Sequence, residues 1–404
     1  MGKAPDSQLA ATALSCGKNH GAISPFDSSR IPFKVPSRSP PNHMPLEDLR
    51  QKIDAVDRDL LRLLNERADL VHEVGLVKKQ AGLQIYAPER EEAVFQGLVR
   101  KNSEMQGRLP ERSIRAIYRE IMSAALALED DLRIAYLGPE GTWTHQAAVS
   151  RFGASVAYSP TESLEQVFDA VARRTADYGV VPVENSTEGA AVHTLDLFAE
   201  SPVHICAQIL LRIENCLMSR SPREDVRVIY SHANVFAQCR QWLLRHFPDA
   251  DLIEVPSTTR AAEIASRTPH SAALGGPLAA QLHGLEVLDH RVQDSATNST
   301  RFLVLSERTC PASGRDRTSI MFSVRNEPGS LFQALAPFND LHLNLSKIES
   351  RPSRRRDWEV FLFLDVLGHC EDAPVKKALG ELAAHCSFVR VLGSYPATAE
   401  VSRS

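Results

Sequence analysis

Positively charged side chains recur on an apolar helical pattern between Leu46 and Gln80. Arg67 and Lys78 are eleven residues apart, which at ~100° per residue places them within roughly 20° of each other on one helix face. Two cations on an apolar face are costly to bury unless an anion meets them. This spacing therefore predicts that the two side chains can bind one anion together.

The elements that position these cations follow from the same pattern. Apolar residues recur at helical spacing over Leu46–Gln80 without a proline, which predicts one helix roughly 50 Å long at ~1.5 Å per residue. The remaining residues before about position 130 are too few to cover it, so a partner chain is expected. Arg50 is turned about 100° away from Arg67 and could serve the partner's site. A second helix is predicted to begin at Pro88, and a third to span about Leu109–Asp130.

Four segments resemble the all-helical chorismate mutase family over roughly residues 46 to 130: Leu49-Arg50, Glu66-Arg67, Val74-Gly75 with Lys78, and Pro88-Glu89-Arg90-Glu91. The resemblance implies an intertwined dimer in which Arg50 is donated to the partner's site. It also implies that Glu91 holds the ring hydroxyl of chorismate. The two carboxylates and the ether oxygen of chorismate would be bound by four cations: Arg50, Arg67, Lys78 and Arg90.

This chain departs from the mutase pattern where many relatives have Asp, Ser and Gln, since it has Ala87, Ala125 and Glu129. The conversion of chorismate to prephenate is intramolecular, so the protein must only hold the compact conformer and stabilise charge on the ether oxygen. Lys78 and Glu129 are the expected catalytic groups. Glu129 can donate a hydrogen bond only while protonated, which an apolar setting favours and nearby cations oppose. Mutase activity should therefore fall as the pH rises.

From Asp131 onward, short apolar strands alternate with helices, which predicts an α/β domain. Several strands run directly into helix starts, so exposed amides and hydroxyl caps should gather at a sheet edge, where they suit carboxylates. Two such sets in sequence predict two lobes with a cleft between them. The chain lacks both the G-x-G-x-x-G and the G-x-x-x-x-G-K motif, which argues against a nicotinamide or ATP enzyme.

Three phrases resemble prephenate dehydratase along roughly residues 132 to 308: Gly138-Pro139-Glu140-Gly141-Thr142, Val181-Pro182-Val183-Glu184-Asn185-Ser186 with Gly189, and Asn298-Ser299-Thr300-Arg301-Phe302. That family has a two-lobed α/β fold like a periplasmic binding protein. The resemblance implies that Thr300 is the principal catalytic residue, with a hydroxyl that Arg301 polarises and with Phe302 beside it. The residues expected to line the cleft are Glu184, Asn185, Ser186 and Gln238. This chemistry requires no cofactor.

Residues 317 to 396 show the order βαββαβ of a ferredoxin-like fold. The turn Asn326-Glu327-Pro328-Gly329-Ser330-Leu331 and the segment Ile348-Glu349-Ser350-Arg351-Pro352 resemble the ACT regulatory domain of prephenate dehydratases, which binds phenylalanine between paired domains. The residues expected to bind phenylalanine are Pro328, Gly329, Ser330, Leu331, Glu349, Ser350, Arg351 and Pro352. A dimerisation module without a ligand is the alternative, which fold alone does not exclude.

Bulk properties limit the function classes. A net charge of -4 with 43% apolar residues does not support a nucleic-acid binder. The seven cysteines show no metal-ligand or redox spacing, which fits a reducing cytoplasm and no metal. The longest apolar runs are too short to span a bilayer.

A chain of 404 residues is long enough for two or three domains. Residues 1–43 are rich in Ser and Pro and without periodicity, which predicts a disordered leader, with a transit-like segment as the alternative. The predicted domains follow at 44–130 (mutase), 131–310 (dehydratase) and 316–396 (ACT), with a tail at 397–404.

The combined resemblance predicts a bifunctional cytoplasmic enzyme of phenylalanine biosynthesis, a homodimer or larger homo-oligomer. It would convert chorismate to prephenate and then to phenylpyruvate, with feedback inhibition by phenylalanine. Two alternatives are weaker. A mutase fused to prephenate dehydrogenase would require the dinucleotide glycine motif that this chain lacks. A non-catalytic amino-acid sensor would have no use for Thr300 or for the paired cations.

Overall fold

The computed structural model describes residues 45–81, 86–129, 131–187, 189–295, 297–352 and 360–397. The predicted leader lies outside these ranges, as does the predicted tail apart from Ala397. The chain divides into a small N-terminal unit that ends at Asp59 and a large unit that begins at Leu60.

Three helices come first, and their bounds are α1 (Leu46–Gln80), α2 (Pro88–Glu104) and α3 (Glu111–Glu129). The single long helix predicted from periodicity is confirmed, and so is the start of α2 at Pro88. The third helix begins two residues later than predicted. Pro110 restricts the preceding Leu109 to extended conformations, so the helix starts only after the proline.

Apolar side chains along α1 are exposed. Only Gly75 is buried among its residues. A continuous apolar face of this length is rarely left to solvent and usually marks a surface for another protein. The exposed residues are Leu49, Ile53, Val56, Leu60, Leu63, Leu64, Leu70, Val74 and Val77.

The α/β region contains a six-stranded sheet of order β2-β1-β3-β11-β5, with β4 paired to β3, and a five-stranded sheet of order β10-β6-β9-β7-β8. The strands are β1 (Arg133–Leu137), β2 (Ala157–Thr161), β3 (Tyr178–Asn185), β4 (Gly189–Ala190), β5 (His204–Arg212), β6 (Cys216–Ser219), β7 (Val228–Ser231), β8 (Asp251–Glu254), β9 (Ser271–Gly275), β10 (Glu286–Asp289) and β11 (Ser299–Ser306). The helices are α4 (Trp143–Phe152), α5 (Leu164–Ala172), α6 (Val192–Phe198), α7 (Ala233–Gln238), α8 (Arg240–His246), α9 (Thr258–Arg267) and α10 (Pro277–His283).

The chain passes between the two sheets twice, from β5 to β6 and from β10 back to β11. The first sheet with its helices is the first lobe, and the second sheet with its helices is the second lobe. This arrangement confirms the predicted two-lobed α/β fold. Tyr86, just before α2, is 3% exposed and belongs to the same apolar cluster as Tyr136, Phe152 and Phe302 of the first lobe. The helical region and the first lobe therefore share a core.

The carboxy-terminal region forms a four-stranded antiparallel sheet of order β13-β14-β12-β15. Its elements are β12 (Asp316–Val324), α11 (Ser330–Asp340), β13 (Leu345–Pro352), β14 (Val360–Leu367), α12 (Ala373–His385) and β15 (Cys386–Pro396). The predicted βαββαβ order is confirmed. One face of this sheet packs on its own helices. Phe361, Phe363 and Leu392 on the other face share a core with Val183 and Leu303 of the first lobe.

No helix in the described ranges combines the length and the apolar character needed to cross a membrane. The same ranges hold no group of three or more His, Cys, Asp or Glu side chains arranged for a metal ion.

Candidate functional sites

A cavity of ≈ 280 Å³ lies where α1, α2, α3 and α4 meet, and it is called the cationic cavity below. Apolar side chains such as Val71, Val74 and Met122 form much of its wall. Five cations and two acids face it, so the balance of charge is positive and suits a small dianion. These charged residues are Arg67, Lys78, Arg90, Arg119, Arg151, Glu91 and Glu129.

The positions of the cations along their helices explain why they line one cavity. Arg67 and Lys78 line the same cavity from three turns of α1, as their spacing predicts. The first turn of α2 adds Arg90 and Glu91. Arg50 belongs to the N-terminal unit, where its side chain is 64% exposed and lies 3.7 Å from Glu47.

Glu91 is held by two arginines that the sequence analysis did not identify. It forms ion pairs with Arg119 and, at 3.1 Å, with Arg151. Arg119 lies one turn before Met122 on α3, so helical spacing places it on the same face as that cavity-lining residue. Arg151 lies on α4 in the α/β region, and no local pattern connects it to the helices.

Glu129 projects from α3 toward Gly75 of α1. A Cβ atom at Gly75 would lie 3.0 Å from Cγ of Glu129, so the absence of a side chain there makes room for the glutamate. The Oε2 atom of Glu129 is buried without a hydrogen-bond partner among the described residues. Burial raises the pKa of Glu129 above its ordinary value, although Lys78 and Lys79 act to lower it.

A second polar cluster lies where β3 and β11 end side by side in the first lobe. The Asn185 amide donates hydrogen bonds to Oγ1 of Thr300 at 2.8 Å and to Oδ1 of Asn298 at 2.9 Å. Ser186 accepts a hydrogen bond from the backbone N–H of Ser299 at 2.9 Å. Because Asn185 donates to it, the Thr300 hydroxyl keeps its own hydrogen to offer to another group. The structure thus brings Thr300, Asn185 and Ser186 together as expected.

Arg301 does not polarise Thr300, so that prediction is wrong. Adjacent residues of a strand point to opposite faces of the sheet. Arg301 instead lies 2.7 Å from Asp365 of β14 and donates to the Tyr395 hydroxyl at 2.9 Å. Burial acts to lower the pKa of Arg301, but Tyr395, Asp365 and Glu184 together raise it above its ordinary value.

Glu184 also lies on the Arg301 face rather than beside Asn185, which corrects its expected place in the cleft. It pairs in register with Arg301 and lies 2.9 Å from Lys347 of β13. Phe302 returns to the Thr300 face, where it is 1% exposed in the core. Gln238 is in the second lobe, and its side chain accepts a hydrogen bond from Asn215 at 3.3 Å.

The turn before α4 lies in close contact with the second lobe. Gly141 has φ of +82°, and a Cβ atom there would lie 3.2 Å from Oγ1 of Thr259 in the second lobe. A side chain at this position would therefore be strained and would push the lobes apart. The Gly141 N–H donates to Nδ1 of His145 at 3.0 Å, and burial lowers the pKa of His145 despite the opposing charge of Glu140.

The expected phenylalanine contacts fall into separate groups. Gly329 precedes α11 with φ of +86°, next to Pro328, Ser330 and Leu331. Glu349 and Arg351 lie on the face of β13 that is turned to the first lobe, where Arg351 is 3.3 Å from Asp196. Ser350 and Pro352 alternate with them and are exposed on the other face. The structure therefore does not bring all eight residues to one surface.

Comparisons with known proteins divide the chain as the fold does. The model of chorismate mutase type II matches residues 49–130, that of prephenate dehydratase matches 134–310, and that of the ACT domain matches 318–384. A protein of Aquifex aeolicus (strain VF5) named bifunctional chorismate mutase/prephenate dehydratase is 46% identical over 353 residues, which cover 87% of this chain and 98% of that protein.

Two solved structures each resemble 66% of the chain. A prephenate dehydratase from Arthrobacter aurescens in complex with L-Phe has a TM-score of 0.61 and 32% identity, covering 66% of this chain and 90% of that one. A chain described as GqqA, a quorum quenching acylase, has a TM-score of 0.60 and 29% identity, covering 66% and 98%.

Proposed function

Because the chain belongs to the bifunctional chorismate mutase/prephenate dehydratase family, we propose that its two reactions occupy two separate sites. The chain is an enzyme with chorismate mutase and prephenate dehydratase activities and carries an ACT domain. The cationic cavity is the mutase site, and the cluster of Asn185, Asn298 and Thr300 is the dehydratase site. The domain limits 44–130, 131–310 and 316–396 belong to this proposal.

The observation that carries the mutase assignment is the meeting of five cations around a partly apolar cavity. Arg67, Lys78 and Arg90 bind the carboxylates and the ether oxygen of chorismate. Since the rearrangement needs no nucleophile, holding the compact conformer and stabilising the developing charge supply the rate enhancement. Lys78 and protonated Glu129 donate to the ether oxygen as its bond to carbon breaks.

The dehydratase step removes the ring hydroxyl of prephenate as water and the ring carboxylate as carbon dioxide. The hydroxyl needs a proton to leave, and aromatisation of the ring drives the loss of carbon dioxide. Thr300, held by Asn185 at 2.8 Å, orients or relays this proton. The purified chain given chorismate alone should form phenylpyruvate, whereas a mutase alone would stop at prephenate and a sensor would leave chorismate unchanged.

The pH dependence of the mutase tests the role of Glu129. Its raised pKa keeps the carboxyl protonated further up the pH scale, but the proton is lost as the pH rises through that pKa. Mutase activity should therefore fall with rising pH. In Glu129→Gln the amide donates at every pH, so the profile should become flatter. Chorismate consumption followed from pH 5 to 9 is the measurement, and an unchanged profile in the variant would contradict the role.

We propose that phenylalanine binds the ACT domain and inhibits the dehydratase. The L-Phe complex of the Arthrobacter aurescens relative supports a ligand of this kind. Two ion pairs with the ACT domain offer a route to the catalytic strands, because Asp365 holds Arg301, the neighbour of Thr300, and Lys347 holds Glu184, the neighbour of Asn185.

Phenylalanine should therefore lower phenylpyruvate formation from prephenate, and Lys347→Met should weaken that inhibition several-fold. Without phenylalanine, the variant should retain its dehydratase rate, since Lys347 does not belong to the Thr300 cluster. Lys377→Met removes an exposed lysine of α12 that pairs within its own helix, and it serves as the control. Equal inhibition of the wild type and Lys347→Met would rule out this route.

We also propose a cytoplasmic homodimer or larger homo-oligomer in which a second copy covers the apolar face of α1 and receives Arg50. The exposed residues of that face support the proposal. Light scattering would detect a mass of at least twice 44.6 kDa, and a monomeric active enzyme would contradict it.

A further inference from the structure

We propose that Arg151, a residue of the α/β region, is a positioning residue of the mutase site that acts through Glu91. The inference rests on the proposed function of the cationic cavity. It means that the dehydratase half of the chain completes the site of the preceding reaction.

The Arg151 side chain and its contacts with Glu91 and Tyr86 lie at the wall of the cationic cavity. Its side chain is 13% exposed and lies 3.1 Å from Oε2 of Glu91, which is 9% exposed. Its Nε donates a hydrogen bond to the Tyr86 hydroxyl, and its guanidinium lies 5.6 Å from the centre of the Tyr86 ring. The Tyr86 ring is itself fixed by Phe152 at 4.9 Å and Tyr178 at 5.2 Å between centroids. Arg151 is therefore held on a rigid support.

Arg119 extends this arrangement to α3. It pairs with Glu91 and donates to the backbone carbonyl of Arg151 at 2.6 Å. Two guanidinium groups thus share one carboxylate. Burial and, after it, the nearby charge of Arg151 together lower the pKa of Arg119 to about 10. Such a cluster is stable only while the Glu91 carboxylate stays between the two cations.

These contacts determine how strongly the Glu91 carboxylate repels a dianionic substrate. With both arginines in place, the Glu91 carboxylate is oriented and its charge is compensated, so a dianion can approach it. Without Arg151, the carboxylate is compensated by Arg119 alone and is free to turn. A dianionic substrate would then be repelled and misaligned, and small misalignments are costly in a reaction that depends on positioning.

Arg151→Met should lower mutase kcat/KM about tenfold, with a clear rise in KM for chorismate. Arg151→Lys keeps the charge and should recover most of the loss. Tyr86→Phe removes only the hydroxyl that accepts from Arg151, so its effect should be smaller and in the same direction. Arg173→Met is the control, because Arg173 is 76% exposed, directly follows α5 and pairs with Asp169 of that helix. Phenylpyruvate formation from supplied prephenate should stay at the wild-type rate in all four variants.

A double-mutant cycle separates positioning from a general loss of charge. In a Glu91→Gln background, Arg151→Met should cost less than about threefold, because the carboxylate it positions is gone. An equal tenfold loss in both backgrounds would overturn action through Glu91, and wild-type mutase kinetics in Arg151→Met would overturn the inference altogether. If both activities fall together, Arg151 supports the fold and the inference also fails. A mutase that is insensitive to Arg67→Met would instead refute the proposed function of the cavity.

Discussion

Thr300→Ala should abolish phenylpyruvate formation while chorismate is still consumed and prephenate accumulates. Thr300 is 8% exposed, and its hydroxyl is 2.8 Å from the Asn185 amide. Its removal takes away the group that orients or relays the proton to the leaving hydroxyl. Proton transfer by a positioned group contributes about 10²–10⁴-fold, and the dehydratase rate should fall by at least about a hundredfold. Chromatography of the products formed from chorismate measures both steps at once.

Two further variants serve as controls for this result. Thr300→Ser keeps a hydroxyl and should retain much of the dehydratase activity. Thr175→Ala removes an exposed threonine hydroxyl that donates to the carbonyl of Ala170, and it should behave like the wild type. Loss of both activities in a folded Thr300→Ala protein would mean that separate sites are the wrong description.

Arg67→Met should have the opposite effect, with loss of mutase activity and unchanged dehydratase activity. Removing one cation from a charge-assisted contact with a substrate carboxylate costs about 3 kcal/mol, which corresponds to roughly a hundredfold or more in mutase kcat/KM. Phenylpyruvate formation from supplied prephenate should not change, because Arg67 lines the cationic cavity on α1 and the Thr300 cluster lies in the first lobe. Steady-state assays with each substrate separately give both values.

Arg62→Met provides a matched control on the same helix. Arg62 is 64% exposed and pairs with Glu66 one turn away, so its loss should leave both activities within about twofold. A mutase that tolerates Arg67→Met as well as Arg62→Met would show that the cavity is not where chorismate binds.

Helical periodicity predicted most of the cationic cavity because α-helix geometry is nearly invariant. Eleven residues make close to three turns, so Arg67 and Lys78 had to share a face once α1 formed. The break to strands after Asp131 and the βαββαβ order were predictable for the same reason, since periods of 3.6 and 2 are distinct.

Contacts between distant segments were not predictable from local patterns. The strand that carries Thr300 begins with the polar residues Ser299, Thr300 and Arg301. The alternation of apolar and polar residues that would identify a strand is therefore not visible at its start. Placing Arg301 beside Thr300 treated neighbours in sequence as neighbours in space, whereas the strand turns them to opposite faces. Arg151 reaches Glu91 across sixty residues of sequence through a shared core, and nothing near either residue signals the pairing.

The most direct test is a crystal structure of the protein with a dicarboxylate analogue of the rearrangement's transition state. The analogue should lie in the cationic cavity with its oxygens within about 3 Å of Arg67 and Lys78. An analogue bound elsewhere, with Arg67 and Lys78 ending in bulk solvent, would contradict the assignment of this cavity as the mutase site.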